Sequence, residues 1–159
     1  MTKNKKIEEL LEMSYYGHLD QVKQLVEDGV DINETGQNGM TPIFAALNGE
    51  NIEIIEFLIA KGADINRGDW TIMHESFDYA IDGMIQEGLS EPDPEIIKTI
   101  KLLIDKGGDV EKKNKKGNSA LDSLNIYASD ITSFERLKSF FRPIIPTIDD
   151  KIKYKTKLH

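Results

Sequence analysis

The sequence predicts an all-α solenoid, built of stacked helix pairs joined by short hairpin fingers, and three observations predict it. The motif GVDIN at 29–33 returns as GADIN at 62–66, an offset of 33 residues, and again as GGDVE at 107–111. The same offset pairs His18 with Asn51, Leu19 with Ile52, Asp20 with Glu53, Val22 with Ile55, Leu25 with Leu58 and Val26 with Ile59. A segment led by Thr or Ser precedes each later unit: TPIF at 41–44, TIMH at 71–74 and SALD at 119–122. Helix pairs repeated at such a period cannot bury their apolar faces alone, so they must stack.

The elements follow in order. The first unit, about 4–33, lacks a finger, and Glu8 and Glu9 stand where later units carry Thr and Pro, as suits a polar cap. The second, 34–66, opens its first helix with Thr41 as N-cap and Pro42 in the first turn, where its missing N–H costs nothing. Small Ala45 and Ala46 allow a neighbouring helix to come close. The second helix, about Ile52 to Lys61, carries Ile52, Ile55, Leu58 and Ile59 on one face, and Gly62 ends it as a C′ residue. The segments NETGQNGM and NRGDW are turn-rich fingers.

The third unit, 67–110, departs from this pattern twice. Four residues separate Asn66 from Thr71, against seven between Asn33 and Thr41, so the finger is short. Thr71 to Gly107 spans 36 positions, against 21 from Thr41 to Gly62, so the helical part is long. Because Gly88-Leu-Ser-Glu-Pro-Asp-Pro cannot be helix interior, the first helix should run from Ile72 to Gln86. The second should restart at Pro94, capped by Asp93. Met73, Phe77, Ala80, Ile81, Met84 and Ile85 form its expected apolar stripe. Glu75, Asp78, Tyr79 and Asp82 share another face at i, i+3, i+4 and i+7. The fourth unit, 111–141, is expected to bury Phe134, Leu137, Phe140 and Phe141 before Arg142-Pro143 and Pro146 stop its last helix. The repeats thus occupy 1–142, and 143–159 form a tail. Its end, KIKYKTKLH, alternates lysine with Ile, Tyr, Thr and Leu in strand periodicity, and folded back it could neutralise acids of its own chain.

A 33-residue period with this order of motifs resembles the ankyrin repeat over roughly residues 6–141. The resemblance implies that the first helix of each pair lines a concave surface. The positions just after the TPLH-like motif would point into it. Glu75, Asp78, Tyr79 and Asp82 would then face a groove shared with Tyr15, Tyr16 and Asn48, with Met40 and Trp70 at finger tips. His74 would fill the motif's histidine position and bond the backbone of an adjacent finger. Small, stand-alone, acidic ankyrin proteins rich in Lys, Ile and Asn look bacterial.

Charge narrows the functional classes. The chain holds 28 acids and 20 bases, a formal charge of −8, yet residues 69–97 contain eight acids and no Lys or Arg. The rest of the chain is therefore neutral, and the whole excess lies in this stretch of the third unit. A pI near 4.9 argues against nucleic acid, since phosphate neutralisation needs clustered cations, and the lysines of KKNKKGN at 112–118 lack interleaved aromatics. No apolar run suggests a membrane span and no apolar h-region follows MTKNKKIEEL, so the cytoplasm is the expected compartment. The absence of cysteine excludes disulfides and zinc–thiolate sites. Without a phosphate-binding loop, a nucleophile elbow or clustered histidines, no enzyme, cofactor or metal is expected.

The sequence therefore points to a protein–protein interaction module, a monomer when unbound, whose acidic groove binds a basic protein. One form of that task is an immunity-type inhibitor capping a toxin such as a nuclease. The alternative is an adaptor or regulatory subunit that recruits a cytoplasmic enzyme. A less favoured reading is a metal-binding protein or enzyme using the carboxylates of Glu75, Asp78 and Asp82. No membrane, nucleic acid or small-molecule substrate is expected.

Overall fold

The computed structural model describes residues 3–156, and among them every regular element is helical. The chain divides after Arg67 into two compact units.

The first unit holds α1 (Lys3–Tyr16), α2 (Leu19–Glu27), α3 (Pro42–Asn48) and α4 (Ile52–Ala60). Helix α1 packs on α2 and α3, and α4 packs on α3 and α2. Leu10, Val22, Ala46, Ile55 and Leu58 are fully enclosed at its centre. Contact with two helices widens the buried arc of α4, so Ile54 is buried with Ile55 and Leu58, while Ile52 and Ile59 are only half-buried. The expected single stripe is thus shifted. Thr41 stands at the N-cap of α3, ahead of Pro42, without a side-chain capping bond.

Asparagines join successive loops. Asn51 does not cap its own helix; its amide donates to the carbonyls of Ser14 (2.9 Å) and Tyr15 (2.7 Å), closing the open end of α1. Asn33 donates to the Gly62 carbonyl (3.2 Å) and accepts the Asp64 N–H (2.8 Å). Gly49 makes the Asn51 contact possible, because a Cβ there would lie 1.9 Å from the Tyr15 carbonyl oxygen.

The second unit contains α5 (Ile72–Gln86), α6 (Pro94–Asp105), a 3-10 turn (Ala120–Asp122) running into α7 (Ser123–Tyr127), α8 (Ile131–Phe141) and α9 (Ile148–Lys151). Helix α5 reaches 15 residues, against 7 for α3, which is where the added length of the third unit goes. Asp93 caps α6 by accepting the Glu95 N–H at 2.7 Å, with Pro94 in the first turn. Phe77 stacks on Phe141 with ring centres 4.5 Å apart, so α5 and α8 share one core. Two expected core residues lie elsewhere: Ile85 is 49% exposed, turned away from the buried side that holds Ile81 and Met84, and Phe140 is half-buried.

The tail folds back over this unit. Ile145, Ile148 and Ile152 are buried, and the Tyr154 ring lies 5.6 Å from Phe134. The Asn125 side chain grips the extended backbone, donating to the Lys153 carbonyl (3.1 Å) and accepting the Lys155 N–H (2.8 Å). The expected alternation is realised in burial, with Ile152 inward and Lys151, Lys153 and Lys155 outward, but without strand pairing. The lysines pair with Glu111 (Lys151) and Asp122 (Lys155, 2.6 Å), not with the acids of α5. Lys157 lies outside the described residues.

Candidate protein-docking face

The N-terminus of α5 is fixed by a buried histidine. His74 Nδ1 accepts the Thr71 N–H at 3.2 Å and lies 2.9 Å from Thr71 Oγ1. By that bonding pattern Nε2 carries the proton, and it donates to the Asn118 carbonyl at 3.1 Å. His74 is 1% exposed. It joins the helix start to the next finger, the structural role expected of it, and Asp69 accepts the Lys115 N–H (2.6 Å) in the same seam.

From this anchored start α5 presents its polar face. Glu75 accepts the Trp70 indole N–H at 2.7 Å, and the Trp70 ring lies 5.0 Å from His74, so the exposed tryptophan is held on one side only. Asp78 accepts the Ser123 hydroxyl at 2.8 Å, and Asp82 receives a long contact from Gln86 at 3.5 Å. All these donors are neutral, and among the described residues no lysine or arginine pairs with Glu75, Asp78 or Asp82. Like charges at i,i+3 and i,i+4 cost a few tenths of a kcal/mol each. Tyr79 is exposed beside them.

Tyr127 was missed by the sequence reading. Burial, then the negative charges of Asp78, Asp82 and Glu75, raise its phenol pKa above the ordinary value. The three acids therefore share an electrostatic environment with α7. The signal was available: Tyr127 stands as far beyond Ser119 as Tyr79 does beyond Thr71, and Ser123 likewise matches Glu75.

The first unit brings its own expected contact residues into two pairs. Tyr15 and Tyr16, 46% and 64% exposed, meet edge to face with ring centres 5.1 Å apart. Met40 and Asn48, both half-buried, meet through an N–H···S contact of 3.8 Å. Among the described residues no group of three or more His, Asp or Glu is disposed to hold a metal ion. No described helix is long and apolar enough to cross a membrane.

Comparison with known proteins identifies the repeat. A family model of ankyrin repeats, three copies long, matches residues 10–86. The mouse RelA-associated inhibitor is 38% identical over 68 residues, covering 41% of this chain and 8% of that protein. The ankyrin repeat and KH domain-containing protein mask of Drosophila melanogaster is 31% identical over 107 residues, 67% of this chain and 2% of that protein. A putative ankyrin repeat protein of fowlpox virus is 28% identical over 130 residues, covering 80% and 35%. The chain thus spans only a small part of the first two relatives. These relatives are animal and viral, and they lend no support to the expected bacterial origin. The human ASB11 ankyrin repeat domain superposes with a TM-score of 0.57 at 23% identity, covering 82% of this chain and 52% of that one, a likeness of fold. With the all-helical architecture, the returning GxDIN motif and the histidine-anchored third unit, these matches show that residues 10–86 are ankyrin repeats, the repeat of protein–protein interaction modules.

Proposed function

We propose that the polar face of α5 is a docking surface for a basic protein. Glu75, Asp78 and Asp82 would take its Lys or Arg side chains, and Trp70 and Tyr79 would supply buried anchors. One observation carries this reading: three carboxylates on one helix face are bonded only to neutral donors. A cationic partner removes their mutual repulsion, which their present neighbours do not. Tyr127 joins this surface, and in the first unit Tyr15, Tyr16, Met40 and Asn48 are proposed contact residues in their own right. The chain acts as an inhibitor that caps its partner, in the cytoplasm, and is monomeric when free. The name of the mouse relative, an inhibitor, agrees with that task.

The test is capture of partners from source lysate by immobilised protein. Asp78→Asn combined with Asp82→Lys keeps an acceptor for Ser123 while cancelling the charge of the face. Loss of the bands retained by the parent protein, with an unchanged or higher thermal midpoint, is the expected result; undiminished capture would remove α5 from the interface.

A further inference from the structure

The folded-back tail and the start of the fourth unit, Glu111 to Asp122, line a half-open cavity of about 230 Å³, where ~10–15 Å³ suffices to admit one water. Lys113, Lys151, Lys153 and Lys155 line it, together with the carboxylates of Glu111 and Asp122. Each carboxylate takes one lysine: Glu111 pairs with Lys151 and Asp122 with Lys155. Among the described residues, two cations are left without a counter-charge. Lys153 rests its ammonium on the neutral Asp149 carbonyl, and Lys113 stands exposed on the finger. Among the described lining residues, four positive charges against two negative leave a surplus of two. In a chain whose net charge is −8, that is a local reversal of sign.

We infer that this cavity binds the phosphate group of a phosphate monoester. Such a group carries about −1.5 to −2 charges at neutral pH, which matches the surplus. Lysine serves phosphate as a compact point charge, and Lys113 approaches from the finger while Lys153 approaches from the tail. A nucleic-acid strand is a poorer fit, because the aromatic ring at this site, Tyr154, is laid against Phe134 and not offered for base stacking. The site is invisible in the sequence, where finger and tail lie far apart. It exists because Asn125 holds the backbone of Lys153 and Lys155 beside the fourth unit.

The full chain, isotopically labelled, is titrated with inorganic phosphate and separately with an O-phosphoserine peptide, at ionic strength held constant with KCl. Saturable shifts of the amides of 152–155, with a raised thermal midpoint, are expected. Tighter binding of the peptide would assign the source to a modified protein, and equal binding to a small ester. Lys113→Gln and Lys153→Gln, which break no ion pair with a carboxylate, should each weaken binding about two- to fivefold. Lys116→Gln, on the same finger but outside the cavity, should leave it unchanged. The inference is overturned if phosphate and KCl produce the same shifts, or if Lys116→Gln weakens binding as much as Lys113→Gln.

Discussion

At the scale of single residues, the fold depends on a few side chains that complete backbone hydrogen bonds. His74 is enclosed and serves both the Thr71 N–H and the Asn118 carbonyl. His74→Leu keeps the volume but leaves the buried Thr71 N–H without a partner and the Asn118 carbonyl with the Asn114 N–H alone, which costs about 1–3 kcal/mol. Urea denaturation followed by circular dichroism should show that loss at unchanged m-value; a loss within error of zero would assign the seam to the remaining finger contacts. Gly49→Ala places a methyl where the Tyr15 carbonyl stands. Relieving the clash must part α1 from the following turn, at a cost of about 1–3 kcal/mol. Thermal unfolding measures it, and an unshifted midpoint would contradict the close approach.

At the scale of elements, local grammar made most boundaries readable. Pro94 after Asp93, Gly62 after α4 and the Thr71–His74 start each belong to a chemistry that works within one turn of helix, so the sequence alone placed α5 and α6 correctly. Ile85 was placed in the core and Tyr127 passed over for the opposite reason. Whether a side chain is covered, or which acids it faces, depends on neighbours that periodicity does not name. The tail is a further case. Its alternation was visible, but its attachment rests on a cluster assembled from distant positions. Buried Lys138 pairs with Glu135 (2.7 Å) and Asp149 (2.8 Å), while Arg142 pairs with the same two carboxylates. Hydrogen bonds from Arg142 and Lys138 hold Asp149 well below the usual carboxylate range, and Lys138 above all lowers Glu135. Groups whose folded pKa is depressed stabilise the fold above their unfolded pKa, about 4, and lose that contribution as pH falls through the folded value. The thermal midpoint should therefore fall on acidification below about pH 4. Asp149→Asn should lower the midpoint at neutral pH and flatten its acid dependence; a parallel profile would show that other carboxylates govern acid stability.

At the scale of the whole molecule, charge is separated into a large negative stretch and a smaller positive cluster. The −8 excess is carried by residues 69–97, where Glu75, Asp78 and Asp82 meet only neutral donors, while Lys151 and Lys155 of the tail pair with Glu111 and Asp122 and leave Lys113 and Lys153 as a smaller positive cluster. If docking is steered by that field, the association rate with the captured basic partner must fall as salt screens it, whereas dissociation, set by short-range contacts such as Trp70 and Tyr79, should change little. Raising ionic strength from about 0.01 M to 0.15 M shortens the screening length from about 30 Å to 8 Å. Stopped-flow association should slow by an order of magnitude or more across that range for the parent protein. The Asp78→Asn/Asp82→Lys variant should start slower and depend less on salt. Equal salt slopes for the two proteins would mean that the acids of α5 lie outside the field the partner senses, and would return the interface to the exposed tyrosines of the first unit.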